Sequence, residues 1–296
     1  EGITIDGPEA AGFKNQDKVE YVFRVGFTEP RIHGQSAAVS EGKSIIMFNP
    51  ETWALAERTK RLSLGDDLSN LKLAYIENAY ELLDSEGEWY LDTDADVFYY
   101  KPRSGENMGD IKAYAGNLET LIELKGTSTN QIKDISFQGL TFAHTTWMQP
   151  NEDTGYISTQ AGFYRSLQMT NATAFVERLW MRPSAAIESV YSSDVNFYDN
   201  DFVLLGGVAV SMAEGTQNTD ITGNYFAKSG GSAIILGGFG NNDTNERADK
   251  RITRNILIQN NLIHGVSATY RDMCGITIGY TQYTTVANNL IYDLPY

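Results

Sequence analysis

Short runs of alternating apolar and polar residues recur through the second half of the chain, separated by turns rich in asparagine and glycine. Each run holds a β-branched residue, then an asparagine, then two residues ending in an apolar one. The four clearest runs are residues 193–202, 219–226, 254–263 and 284–291. Shorter apolar runs lie between them, at Gly207–Val210, Ser232–Leu236 and Gly275–Ile278. Alternation with a period of two predicts β-strands, and this part of the sequence has no helical period.

One asparagine occupies the equivalent position in each run. These residues are Asn200, Asn224, Asn261 and Asn289, at spacings of 24, 37 and 28 residues. An earlier copy of the run, residues 133–142, has Gly139 at this place. Asparagine tolerates the left-handed backbone region, and its side chain can hydrogen-bond the asparagines of neighbouring repeats. We therefore expect the four asparagines to align at one corner of a stack of repeats.

A period in the twenties with two or three short strands per repeat is typical of a solenoid. One repeat cannot bury its own apolar face, whereas stacked repeats bury a continuous core. The pattern therefore predicts an all-β chain with a right-handed parallel β-helix over residues 116–296. A β-sandwich built from hairpins is the alternative, and it explains the asparagine register poorly.

Residues 1–115 lack the repeat. Strand-like runs occur there at Val19–Val25, Ser44–Phe48, Glu88–Leu91 and Val97–Tyr100. The segment Asn78–Leu83 suits one short helix. We expect a small β-rich accessory domain over residues 1–115, followed by the β-helix over residues 116–296.

The charge balance and the scarcity of cysteine and histidine narrow the function. Lys and Arg number 23 and Asp and Glu number 38, a formal net charge of −15, and no basic cluster is visible. Such a chain would repel nucleic-acid phosphates, so we predict no nucleic-acid partner. One cysteine and three scattered histidines suit neither a disulfide framework nor a metal site, so we predict no metal and no cofactor.

The apolar segments bear on where the protein works. No run approaches 18 consecutive apolar residues, so we predict no membrane span. The sequence begins at Glu1 without methionine or an apolar leader, and we expect any secretion signal to have been removed or to lie outside it. An acidic, cysteine-poor, Gly- and Tyr-rich chain is typical of bacterial exported proteins. We expect a secreted or periplasmic location.

Several short sequence motifs occur in a defined order along the chain. They are Glu77–Leu83, Gly87–Asp92, Phe98–Arg103, Leu118–Ile122, Phe137–His144 with Trp147, Ile278–Tyr280 and Asp293–Tyr296. The set resembles right-handed parallel β-helix enzymes of bacteria that act on carbohydrates, most closely glycoside hydrolase family 141. That family includes an α-L-fucosidase acting on pectin side chains and a xylanase. The resemblance covers most of the chain and implies a pectate-lyase-like solenoid that cleaves oligo- or polysaccharides.

The resemblance also implies that the chain is truncated at its C-terminus. Relatives carry further coils beyond the Asp-Leu-Pro-Tyr string, including an Asp-Gly-Gly stretch associated with a second acidic residue of the site. This sequence stops at Tyr296. We therefore expect a fragment, inactive alone if that second carboxylate lies in the further coils.

Glycosidic cleavage needs two carboxyl groups, one protonated and one charged. Asp293 and Asp272 are the predicted catalytic residues, because both follow a strand at a turn where a β-helix opens its groove. Asp293 follows Asn289 by four residues, where earlier repeats have Leu204, Lys228 and Gly265. Asp272 ends a longer excursion of the kind that often builds a solenoid's site. Aspartate is also common in solvated turns, which is the alternative for both.

Six further residues are predicted to bind substrate. Trp147 can stack on a sugar face, and His144 can hydrogen-bond a hydroxyl, although both can equally pack or satisfy backbone groups in a loop. The weaker candidates are Tyr156, Gln160, Arg182 and Tyr280. Glu188 and Glu214 lie near repeat strands and can supply a second acid, but nothing in the sequence singles them out.

These observations predict a glycoside hydrolase that cleaves a plant cell-wall-type polysaccharide or its side chains, fucoside or xylan-like, with a pair of carboxylates. One alternative is a polysaccharide lyase of the same fold, which needs a cation to neutralise a uronate; lysine is scarce in the repeats. The other alternative is a non-catalytic carbohydrate-binding or adhesin-like β-helix. The sequence leaves the oligomeric state open.

Overall fold

The structure, a computed structural model, describes residues 1–64, 72–165, 180–240, 243 and 250–296. The chain divides into two compact units. The first comprises the described residues of Glu1–Tyr114, Gln149–Ser158 and Arg165–Thr173. The second comprises those of Ala115–Met148, Thr159–Tyr164 and Ala174–Tyr296.

The first unit is built on an antiparallel sheet. Its strands are β1 (Gly2–Asp6), β2 (Glu20–Arg24), β3 (Arg31–Ser40), β4 (Lys43–Phe48) and β5 (Lys72–Glu77). They lie in the order β1-β4-β3-β2-β5. A separate antiparallel hairpin is formed by β6 (Trp89–Asp92) and β7 (Val97–Tyr100).

The helix of this unit lies where the sequence did not predict one. Helix α1 spans Pro50–Leu64, whereas the predicted helix at 78–83 is only a 3₁₀ turn, Tyr80–Leu82. The side-chain oxygen of Asn49 caps α1 by accepting the backbone N–H of Glu51 at 2.8 Å. Proline at the first helical position and an asparagine cap are both strong helix-start signals. Other 3₁₀ segments in the described ranges are Glu9–Gly12 and Gln149–Asn151.

The second unit holds three parallel sheets of five strands each. The first parallel sheet contains β8 (Ile122–Lys125), β13 (Ala185–Val190), β16 (Val208–Met212), β19 (Ile234–Leu236) and β22 (Ile276–Ile278). The second contains β9 (Ile132–Gln138), β14 (Ser192–Tyr198), β17 (Gln217–Thr222), β20 (Arg254–Gln259) and β23 (Gln282–Ala287). The third contains β10 (Thr141–Ala143), β15 (Asp201–Val203), β18 (Tyr225–Ala227), β21 (Leu262–His264) and β24 (Leu290–Tyr292). Strands β11 (Ile157–Gln160) and β12 (Phe163–Arg165) form a small two-stranded sheet.

The predicted right-handed parallel β-helix, a closed pectate-lyase-like solenoid preceded by an accessory domain, is wrong. The strands form three separate five-stranded parallel sheets and not a closed solenoid. Alternation of apolar residues predicts where strands lie and which face of each strand is buried. Whether the sheets close into a solenoid depends on the connections between them. Those connections are irregular: a single residue, Tyr191, joins β13 to β14, but residues 144–184 separate β10 from β13.

The asparagine alignment is confirmed. The side-chain amide of Asn200 donates to Oδ1 of Asn224 at 3.0 Å, Asn224 donates to Asn261 at 3.1 Å, and Asn261 donates to Asn289 at 2.9 Å. Each of these acceptor oxygens also takes the backbone N–H of the preceding asparagine. Each amide donates in addition to a backbone carbonyl, as Asn224 does to Phe197 at 3.0 Å. This asparagine ladder therefore satisfies the polar groups of the corner between the second and third parallel sheets.

Stacked apolar residues fill the core of the second unit. Phe142, Phe202 and Phe226 stack in register on β10, β15 and β18, with ring centroids 4.9 and 4.8 Å apart. Six apolar residues of the repeats are fully buried: Ile221, Phe226, Ile234, Ile256, Ile258 and Ile263. Ile276, Val286 and Ile291 are more exposed, because they lie on β22, β23 and β24, which are edge strands among the described residues.

The core prediction can be tested with a matched pair of isoleucines. Ile263 and Ile291 are register partners on neighbouring strands, but Ile263 is fully buried and Ile291 is 41% exposed. We expect Ile263→Ala to lower the free energy of unfolding by about 2–5 kcal/mol, because a buried cavity is left behind. Ile291→Ala should cost clearly less in the same urea titration. If both variants lose the same free energy of unfolding, the two positions have the same environment.

The asparagine ladder allows a second matched test. Asn224 bonds to asparagines on both sides, whereas Asn289 bonds to one among the described residues. Replacing Asn224 with alanine leaves several buried polar groups without hydrogen-bond partners. Each such group destabilises the folded protein by about 1–3 kcal/mol. We expect Asn224→Ala to destabilise the protein more than Asn289→Ala does, measured by chemical denaturation. Similar, small losses for both variants would mean that the ladder contributes little.

Candidate functional site

Two glutamates lie side by side on the outward face of the first parallel sheet. Along β8, Ile122 and Leu124 pack on the core, so Glu123 between them points outward. The same alternation along β13 turns Glu188 outward. Glu123 and Glu188 are direct register partners. Neighbouring strand backbones lie about 4.8 Å apart, so the two glutamate side chains leave the sheet from adjacent positions.

The two glutamates differ in their surroundings. Glu123 is exposed and binds the Lys125 ammonium at 2.7 Å. This hydrogen bond, with the nearby charge of Glu188, raises the pKa of Lys125. Glu188 is half-buried, and its Oε1 accepts the backbone N–H of Ala185 at 3.2 Å. The pair therefore combines an ion-paired carboxylate with a more sheltered one.

Arg182 lies beside Glu188 and is held rigidly. Its Nη1 donates to Oγ of Ser211 at 3.1 Å, and its Nη2 donates to the carbonyl of Gly237. The guanidinium also lies over the rings of Phe163 and Phe239, 5.8 and 5.4 Å from their centroids. Burial lowers the pKa of Arg182 to about 10, although the carboxylates of Glu214, Glu188 and Asp243 act in the opposite direction. The arginine remains a cation at neutral pH.

These residues surround an open cleft of about 200 Å³. Its lining is Lys125, Arg182, Pro183, Glu188, Ser189, Val190, Ser211 and Ala213. We call this the Glu188 cleft. It places a carboxylate, two cations and two hydroxyls on one surface, with the second carboxylate, Glu123, on the neighbouring strand. Such a set can transfer a proton, stabilise charge and hydrogen-bond a polar substrate.

A second cleft, of about 280 Å³, contains the predicted binding residue Tyr280. We call it the Tyr280 cleft. It is lined by Asp243, Arg251, Ile252, Thr253, Gly279, Tyr280, Thr281 and Gln282. Of the eight residues predicted from the sequence, Arg182 and Tyr280 thus line the two clefts.

Asp293 and His144 occupy equivalent turn positions in different repeats. Both follow a strand of the third parallel sheet, and both have a positive φ, 56° and 61°. Leu204, Lys228 and Gly265 share this conformation in the intervening repeats. Four strand spacings, about 19 Å in all, separate the backbones of His144 and Asp293. The structure therefore does not bring these two exposed residues together.

Asp272 and Trp147 lie in buried parts of the second unit. Asp272 is only 3% exposed, in the connection between β21 and β22. Trp147 is also buried and makes edge-on contacts with Tyr270 and Tyr164, at centroid distances of 4.5 and 5.7 Å. The ring thus packs on other aromatic rings, and a sugar-stacking role for Trp147 stays a prediction.

The last two predicted residues lie on or beside β11. Tyr156 is fully buried in the first unit and exchanges two backbone hydrogen bonds with Arg31, at 2.9 and 3.0 Å. Gln160 is exposed at the end of β11. Neither lines the Glu188 cleft or the Tyr280 cleft.

Sequence reasoning did not pair Glu123 with Glu188. Both are single charged residues between core-facing positions of a strand, in Ile122-Glu-Leu124 and Ile187-Glu-Ser189. Aligning the first strand of each repeat, as was done for the asparagines, would have placed them side by side. The long segment between β10 and β13 hides that alignment.

The described residues show neither a metal cluster nor a spanning helix. No group of three or more His, Cys, Asp or Glu in the described ranges is arranged to hold a metal ion. In the same part of the chain, no helix combines the length and apolar character that crossing a bilayer requires.

Comparison with known proteins identifies the fold. No protein-family model matches the chain, and no match was found among curated proteins. A solved structure described as "Glycoside hydrolase" superimposes with a TM-score of 0.81 at 24% sequence identity. The match covers 100% of this chain and 53% of that one, so the chain spans about half the length of this structural relative. The chain therefore has a glycoside-hydrolase-like fold.

Proposed function

We propose that this protein is a glycoside hydrolase whose catalytic carboxylates are Glu123 and Glu188. The observation that carries the proposal is their direct register on β8 and β13, with Glu188 lining a cleft that also holds Arg182. Retaining glycosidases use two carboxyl groups about 5–5.5 Å apart. Neighbouring strand backbones lie about 4.8 Å apart, so the two side chains start close enough for their carboxyl groups to reach that separation.

The surroundings of the two glutamates suggest their roles. Glu123, bound to the Lys125 ammonium, is the carboxylate that attacks the anomeric carbon. The half-buried Glu188 gives a proton to the glycosidic oxygen as that bond breaks, which leaves a glycosyl ester on Glu123. Glu188 then takes a proton from water, and the resulting hydroxide displaces the sugar from Glu123. Both carboxyl groups return to their starting states.

The proposed substrate and location rest on the structural relative and on the sequence motifs. The structural relative is named as a glycoside hydrolase, and the motif resemblance to family 141 favours plant cell-wall glycans with fucoside or xylan-like linkages. Clefts lined by polar and charged side chains suit oligo- or polysaccharides. A carbohydrate substrate of this kind agrees with a secreted or periplasmic bacterial enzyme.

A polysaccharide lyase is the second candidate, because the Glu188 cleft contains two cations. Lys125 and Arg182 both line it. A lyase needs such charges to neutralise a uronate before a proton is removed next to the carboxylate. The two activities leave different products: a hydrolase forms a new reducing end, whereas a lyase also forms a carbon–carbon double bond that absorbs ultraviolet light.

The catalytic proposal is tested with a panel of pectic, fucosylated and xylan substrates. We expect Glu188→Gln to lower kcat/KM at least about 100-fold, because an amide cannot protonate the leaving oxygen. Glu41→Gln, an exposed glutamate in the turn between β3 and β4, is the matched control and should retain wild-type activity. Reducing-sugar release and ultraviolet absorption are followed together.

Two further variants separate this site from the one predicted by sequence. If Asp272→Asn and Asp293→Asn remove activity while Glu188→Gln does not, the catalytic pair is the aspartates. Ultraviolet-absorbing products would favour the lyase. Binding of glycans without any product, in a chain that folds normally, would favour a non-catalytic carbohydrate-binding protein.

A further inference from the structure

The Tyr280 cleft presents a partly exposed aromatic ring above polar side chains. Tyr280 is 43% exposed and borders a cavity of about 280 Å³. That volume is near the lower end for small-molecule sites, roughly 300–1,000 Å³. An aromatic face with neighbouring hydroxyl and amide groups is a surface on which a sugar ring can stack and be hydrogen-bonded. Thr281 and Gln282 supply those polar groups, whereas the buried Thr253 hydroxyl donates to the carbonyl of Ala213 at 3.1 Å.

The backbone holds Tyr280 in place through two glycines. The N–H of Tyr280 donates to the carbonyl of Gly238 at 2.8 Å, and the N–H of Gly279 donates to that of Leu236 at 2.7 Å. A Cβ on Gly279 would collide with the Gly238 carbonyl and with the ring of Phe239. Only glycine permits this close approach of the two segments. The ring of Tyr280 therefore extends from a fixed support.

The charged residues of the cleft are locked to one another. Arg251 binds Oδ1 of Asp243 through Nη2 at 3.0 Å and through Nε at 3.1 Å, and it lies 3.9 Å from Glu214. Burial lowers the pKa of Arg251, but these carboxylates outweigh that effect and raise it overall. Because these carboxylates already compensate the charge of Arg251, the cleft suits a neutral sugar better than a uronate.

Two adjacent glycines hydrogen-bond one lining residue of each cleft. Arg182 from the Glu188 cleft donates to the carbonyl of Gly237. The N–H of Tyr280, from the other cleft, donates to the carbonyl of the next residue, Gly238. Lining residues of the two clefts are therefore held by neighbouring residues of one short segment.

We propose that the Tyr280 cleft is a binding subsite for a second, neutral sugar unit of the chain that is cleaved in the Glu188 cleft. This inference rests on the proposed glycosidase function. It assigns the substrate class: oligosaccharides with at least one neutral pyranose next to the scissile unit. A substrate that fills only the Glu188 cleft gains nothing from Tyr280.

The test compares long and short substrates in Tyr280→Ala and its controls. The probes are an aryl monoglycoside and short oligosaccharides of increasing length, chosen from the sugar that wild-type protein cleaves. Oligosaccharide binding is measured by calorimetry in a Glu188→Gln background, which removes turnover. Tyr280→Phe keeps the ring, and Tyr283→Ala removes a tyrosine that is 80% exposed and outside the cleft.

We expect Tyr280→Ala to weaken oligosaccharide binding about tenfold and to raise KM for oligosaccharides similarly. Its kcat/KM for the aryl monoglycoside should fall far less than its kcat/KM for the oligosaccharides. Tyr280→Phe and Tyr283→Ala should both bind oligosaccharides like the parent protein.

Two results would overturn the subsite, and they are distinguishable. If wild-type protein cleaves the aryl monoglycoside but Tyr280→Ala binds every oligosaccharide normally, the subsite fails while the glycosidase function stands. If wild-type protein neither binds nor cleaves any carbohydrate, the proposed function fails and the subsite with it.

Discussion

The hydrogen-bonded ladder of Asn200, Asn224, Asn261 and Asn289 is the interaction on which the second unit depends. The side-chain oxygens of Asn224, Asn261 and Asn289 each accept two N–H groups from the preceding asparagine. Each amide donates to a backbone carbonyl, and within the ladder it also donates to the next asparagine. A buried corner without these partners would leave several backbone groups unsatisfied. Because a strand shifted by one residue turns its core residues outward, the ladder also protects the register of the strands on either side.

The candidate site follows from that register. Core-facing residues such as Ile122 and Ile187 align between strands, so the residues after them, Glu123 and Glu188, align on the outer face. Two carboxylates at strand spacing repel one another unless cations or a substrate compensate them. Lys125 and Arg182 provide that compensation, each within reach of Glu188. The geometry is therefore that of a charged site supported by a regular sheet.

Much of this could be predicted from the sequence, and the rest could not for physical reasons. The asparagine ladder and the buried residues of the middle repeats follow from local alternation and spacing, so they were predicted correctly. Closure of the sheets into a solenoid was predicted wrongly, because irregular connections such as residues 144–184 carry no period. Helix α1 was missed, although Asn49 and Pro50 mark its start.

The site shows the same division. Arg182 and Tyr280, two of the residues predicted to bind substrate, line the two clefts, and their role in binding stays a prediction. Trp147 is of a residue type that can stack on a sugar ring. Its ring is nevertheless buried against Tyr164 and Tyr270, and this burial is evident only from the three-dimensional packing. Glu123 and Glu188 belong to strands far apart along the chain, so their proximity depends on the register between repeats and not on any local motif.

The most direct test of the account is to identify the residue that becomes covalently bound to sugar. Glu188→Gln treated with an activated aryl glycoside still forms the glycosyl ester but hydrolyses it slowly, because the general base is lost. Mass spectrometry of the digested protein then locates the sugar. The account predicts a sugar ester on the peptide containing Glu123. A sugar on Asp272 or Asp293, or release of product with inverted anomeric configuration, would contradict it.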